Sequence, residues 1–176
     1  MAIEFVEFMA MDEARKLAPR EDVGFVSITD PSFSCPISNG WGSVLHLTFV
    51  DSEYDETVIR IFGNDFERIY TDYFNKGLAN QLVTFISRVA GNREQTGILV
   101  HCHHGQGRSA AVAMYVANRF SLKLHGDLSR HNKLVLQLLN NPCYYDDILK
   151  QYTTDTSTPA SKANSFTKLM SLFGVK

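Results

Sequence analysis

Residues 97–120, GILVHCHHGQGRSAAVAMYVANRF, decide the fold. Gly97–His101 (GILVH) is short and continuously apolar, the pattern of a strand covered on both faces. Ser109–Phe120 (SAAVAMYVANRF) is apolar nearly all round, which marks a helix buried at the centre of a domain. The polar, glycine-bearing run Cys102–Arg108 between them reads as a loop that delivers its backbone N–H groups to a helix N-terminus. Unpaired N–H groups and the helix dipole make such a terminus a ready anion site.

Outward from this unit, strand and helix patterns alternate. Toward the N-terminus, Ile3–Phe8 is a short edge strand and Met11–Leu17 a helix closed by Pro19. Gly24–Thr29 (GFVSIT) is a strand stopped by Asp30-Pro31, and Val44–Phe49 (VLHLTF) is another. Residues 50–75, rich in acids and aromatics, read as a long loop with one or two short helices, a length usual for a functional lid. Gly77–Ala90 is an amphipathic helix on the spacing of Ala79, Leu82, Val83, Ile86 and Val89. After the central helix, Asp127–Leu139 is a further helix ended by Asn141-Pro142, and Tyr144–Tyr152 adds a turn or two. The expected fold is a single α/β domain over residues 1–152, with a central, mostly parallel sheet flanked by helices. Residues 153–176 are read as a Ser/Thr-rich linker and short tail. Ligands of such sheets sit beyond the carboxyl ends of the strands, and the end of GILVH is such a place.

Bulk properties narrow the function classes. The chain has 176 residues, 44% hydrophobic and 20% charged, as is ordinary for one globular domain. A net charge of −2 gives no electrostatic reason to expect nucleic acid or an acidic membrane as partner, although a local basic patch is compatible with it. No apolar run reaches membrane-span length and the first residues lack a signal-peptide pattern, so the cytoplasm is the expected location. Cys35, Cys102 and Cys143 are odd in number and widely spaced, which is no disulfide framework.

Cys102 therefore invites a chemical reading. Gly105 and Gly107 permit a tight backbone that turns successive N–H groups toward one centre. Arg108 adds a planar, two-pronged donor matched to two phosphoryl oxygens. Donors that hold a phosphate dianion also favour a thiolate, which makes Cys102 a nucleophile. Ser109 can donate its hydroxyl proton to that sulfur, while His101 orients the loop. The backbone N–H groups of His103 and His104 line the anion centre whatever their side chains do. Those imidazoles, and Gln106, are either substrate contacts or solvated rim. A Cys-x5-Arg pair alone is a weak signal; the buried strand, both glycines, the serine and the buried helix around it make it specific.

The run HCHHGQGRS resembles the HCx5R(S/T) phosphate loop of the protein tyrosine phosphatase superfamily, with the strong match confined to about residues 97–120. Its GxGRS ending is similar to tyrosine-selective members, where many dual-specificity members carry Ser before the Arg. A weaker similarity over residues 23–140, to compact bacterial or phage-type and dual-specificity-like members, includes the strand ending SITDP, a strand followed by Asp, and Asn132 in SRHNKLV. The resemblance implies a phosphatase-type sandwich and metal-free, cofactor-independent hydrolysis of a phosphomonoester through a phosphocysteine. Phosphorylated protein, foremost phosphotyrosine, is the implied substrate. Dual-specificity action, RNA 5′-phosphates or small phosphoesters are alternatives, and a non-catalytic phosphate-binding module is a further one. Metal binding by the adjacent residues His101, Cys102, His103 and His104 is disfavoured, since neighbours in sequence cannot all point at one ion.

The family's proton donor is an Asp on a movable loop. No Trp-Pro-Asp run is present, because Trp41 is followed by Gly42. The candidates are Asp51, Asp55, Asp65 and Asp72. Asp51 is preferred because it follows VLHLTF and would leave the sheet at its carboxyl edge. Its separation from Cys102 is longer than usual, which an insertion between Asp55 and Asn75 accounts for. Asp72 has the more usual separation but falls where a helix is expected.

Overall fold

The computed structural model describes residues 3–153, so the expected linker and tail lie, apart from Thr153, outside the described residues. Four strands form one sheet: β1 (Phe5–Ala10), β2 (Val23–Thr29), β3 (Ser43–Thr48) and β4 (Gly97–Cys102). All are parallel, in the order β1-β4-β2-β3. Every residue of β2 and β4 is buried, as continuous apolar runs at the centre of a parallel sheet require. β1 is an edge strand, as its sequence predicts. The register pairs Ala10 with Cys102, Ser27 with His101 and Thr29 with Thr48. All four carboxyl ends thus share one edge of the sheet.

One face carries the main helices. α4 (Lys76–Gly91) buries Ala79, Leu82, Phe85, Ile86 and Val89, and Asn75 caps it by accepting the Leu78 N–H at 3.1 Å. Each fully buried Leu, Ile or Phe contributes about 1.5–3 kcal/mol, so this stripe outweighs the cost of Gly77 and Gly91 in the helix. α5 (Arg108–Phe120) is buried almost throughout from Arg108 to Ala117. α6 (Lys133–Asn140) completes the layer with Leu134, Val135, Leu138 and Leu139. On the other face lie the one-turn α1 (Met11–Ala14) and the 30–42 loop, where Trp41 meets Phe25 at 4.5 Å between ring centroids.

Three expectations change. The helix expected over Met11–Leu17 is only the turn Met11–Ala14. The helix expected over Asp127–Leu139 begins only at Lys133. Asp127 instead accepts the Ser129 N–H at 2.9 Å, and Asn132 caps the helix by accepting the Val135 N–H at 3.0 Å. Such local bonds compete with helix formation. Asp72, expected on a helix, lies exposed in a turn, its carbonyl accepting the Val50 N–H at 2.9 Å.

The chain groups into two compact units, residues 3–53 with 72–144, and residues 54–71 with 145–153. The first contains the sheet and α1, α4, α5 and α6. The second contains α2 (Glu56–Phe62), a 3-10 turn (Gly63–Asp65), α3 (Phe66–Ile69) and α7 (Asp146–Thr153). Tyr54 packs there against Phe66, Tyr70 and Tyr145, and burial pushes its phenol upward. Phe74, by contrast, packs against Phe49 in the first unit. Among the described residues, no helix is long and apolar enough to cross a membrane.

Candidate active site

Cys102 is the last residue of β4, and Arg108 is the first of α5. The five residues between them cross the carboxyl edge of the sheet. Gly105 sits at φ +70°, and a Cβ there would run into the backbone of Met9 and Ala10. Glycine is thus required on both counts, which lets the loop press against the end of β1. The Met11 N–H donates to the His103 carbonyl at 3.4 Å from the other side of that contact. Cys102 is 1% exposed, and its Sγ lies 3.1 Å from Ser109 Oγ. A hydroxyl at this distance can donate to a sulfur anion.

Arg108 is the largest fully buried side chain, 2% exposed. Asp30, just past β2, accepts from Nη1 at 3.1 Å and from Nη2 at 3.2 Å. The Phe49 carbonyl, just past β3, accepts from Nη1 at 2.5 Å. These bonds use three of the five guanidinium protons. Nε has no hydrogen-bond partner among the described residues. The Nε proton and the remaining Nη2 proton share one edge of the plane, so a two-pronged donor is left without a hydrogen bond inside the protein. An unpaired buried donor is costly, and one aimed at a ligand is how a preorganised anion site is built.

Asp51 approaches that edge. Its Oδ2 is 3.7 Å from Arg108 Nε, and its Oδ1 accepts the Asn132 amide at 2.9 Å. A Cβ on Gly107 would collide with the Asp51 carboxylate. The Glu53 carboxylate accepts the Lys133 N–H at 2.6 Å, pinning the same loop to the start of α6. Asn132 also reaches the central loop, donating its backbone N–H to the Gly107 carbonyl at 3.2 Å. The other acid candidates are placed differently. Asp55 caps α2 by accepting the Val58 N–H at 3.0 Å, Asp65 pairs with Arg68, and Asp72 is the exposed turn residue described above.

His101 is fully buried and meets Ser27 Oγ through Nε2 at 2.8 Å. Burial lowers its pKa to about 4, so the ring is neutral and braces the strand before the cysteine. His103 is half-buried, beside the 54% exposed Phe33 at 5.6 Å between ring centroids. His104 and Gln106 are exposed. Cys35 is buried and Cys143 exposed, both as free thiols.

The structure brings together Cys102, Arg108, Ser109, Gly107 and Asp51 of the expected residues. It adds Asp30, which the sequence marks only as a strand stop. The usable signal was its place at the carboxyl end of a buried strand. Asn132, which entered only as part of the SRHNKLV resemblance, caps α6 and touches both the central loop and Asp51. No family model matches the chain, and no curated protein matches it.

Proposed function

We propose that this chain hydrolyses phosphate monoesters, protein phosphotyrosine foremost, through a phosphocysteine on Cys102. The observation that carries this reading is the buried Arg108 guanidinium. It is anchored by Asp30 and the Phe49 carbonyl, and its Nε edge makes no hydrogen bond, one five-residue loop away from a buried cysteine.

In the first step the Cys102 sulfur attacks phosphorus, an S–P bond forms and the ester P–O bond breaks. Asp51 gives its proton to the departing oxygen. In the second step water attacks phosphorus and loses a proton to Asp51. The S–P bond breaks, and the Ser109 hydroxyl stabilises the leaving sulfur. The equatorial oxygens rest on the loop N–H groups and on the Nε edge of Arg108. A phosphate dianion beside the carboxyl at 3.7 Å from Nε is compatible with the protonated acid, and repels the ionised one. Phe33 beside His103 favours an aryl ester, because its exposed ring offers a stacking wall at the loop.

The test is turnover of p-nitrophenyl phosphate by the full chain. Cys102→Ser should abolish it while tungstate binding persists, and retained turnover in that variant would sink the mechanism. Tyrosine-phosphorylated peptides should be preferred over serine-phosphorylated ones.

A further inference from the structure

We infer that Asn132 is a positioning residue that makes Oδ2, and not Oδ1, the proton-bearing oxygen of Asp51. The inference rests on the reading of Asp51 as the acid. It specifies which atom gives the proton and what holds it there.

Asn132 is 3% exposed and its amide orientation is fixed by its partners. Oδ1 accepts the Val135 N–H at 3.0 Å, so Nδ2 must be the atom that faces Asp51 Oδ1 at 2.9 Å. An amide nitrogen donates and has no lone pair to accept with. Oδ1 of Asp51 can therefore only be an acceptor there, and a proton on Asp51 belongs on Oδ2. Oδ2 is the oxygen that stands over Gly107, 3.7 Å from the Nε edge of Arg108. The backbone N–H of Asn132 meanwhile holds the Gly107 carbonyl at 3.2 Å. One residue thus sets the acid and the loop it serves in a common frame. Capping α6 needs only the Oδ1 contact, so the Nδ2 contact is additional to a structural role.

The experiment separates these two contacts. Aspartate and serine both cap helices about as well as asparagine, so Asn132→Asp and Asn132→Ser keep the cap and remove the donor. The leaving-group dependence of kcat is measured with nitrophenyl and phenyl phosphates, together with the pH profile. Both variants should slow the poorer leaving group by roughly tenfold or more relative to the better one, within the usual range for a positioned acid. In Asn132→Asp a second carboxylate opposes loss of the Asp51 proton, so the alkaline limb should move up by about one pH unit. In an Asp51→Asn background neither substitution should add to the loss, because residues acting through one contact are not additive. An unchanged leaving-group dependence in both variants, or an equal further loss in the Asp51→Asn background, overturns the inference. If Asp51→Asn itself leaves the leaving-group dependence unchanged, the assignment of the acid fails and takes the inference with it.

Discussion

Asp30 grips both terminal nitrogens of Arg108, at 3.1 and 3.2 Å, and thereby turns the Nε edge of the guanidinium toward Asp51. A carboxylate inside the proposed anion site looks counterproductive on charge alone. Its geometry explains it: a long side chain buried at 2% exposure is held in one plane by three acceptor contacts, from the ends of two neighbouring strands. Parallel strands make this possible, since the residues after β2 and β3 and the end of β4 all emerge on one edge.

Asp30→Asn should weaken anion binding although it removes a negative charge. Coulomb attraction alone would tighten binding, but loss of the anchor frees Arg108 to swing toward Asp51, 3.7 Å away, closing the donor edge. A charged hydrogen bond is worth about 1.5–3 kcal/mol. Because the Asp30 side chain is 31% exposed, about 1–2 kcal/mol is the expected loss, or roughly 5- to 30-fold in inhibition by phosphate or tungstate. Tighter inhibition would show that charge, and not placement, is what Asp30 contributes.

Gly107→Ala should steepen the leaving-group dependence. The backbone at Gly107 has φ −92°, a value open to any residue, so its constraint comes from the Asp51 carboxylate above it. An alanine Cβ must push that carboxylate aside, with a loss on the order of tenfold or more for phenyl phosphate relative to nitrophenyl phosphate. A leaving-group dependence equal to that of the unsubstituted protein would place Asp51 away from Gly107 in solution.

The central strand–loop–helix unit was legible because each part has a local cause: a continuous apolar run, glycines at the turn, and an apolar helix. The helix at 133–140 was overextended in the sequence because Leu128 falls in phase with the apolar stripe, while the bond from Ser129 to Asp127 that breaks the helix leaves no periodic trace. Asp30 was legible only as punctuation. Its partner is 78 residues away, and no local pattern reports a pairing that depends on strand order. Asp51 could be preferred over Asp55, Asp65 and Asp72 from its position just past a strand. Its contacts with Asn132 and Gly107 required the fold.

His101 should make the fold acid-sensitive over a defined range. Burial holds its pKa at about 4, below the ordinary 6.5, so the folded state binds this proton less readily than the unfolded chain. The sign follows from linkage: the contribution is fully present above about pH 6.5, falls as the pH drops through that value, and is exhausted near pH 4. At about 1.4 kcal/mol per unit, the whole interval amounts to roughly 3.5 kcal/mol at most. Urea midpoints should therefore decline between pH 7 and pH 4.5 by more than the carboxylates alone produce. In His101→Gln, whose amide nitrogen takes the place of Nε2 beside Ser27 but does not titrate, that decline should be shallower. Equal slopes in the two proteins would assign the acid sensitivity to other groups.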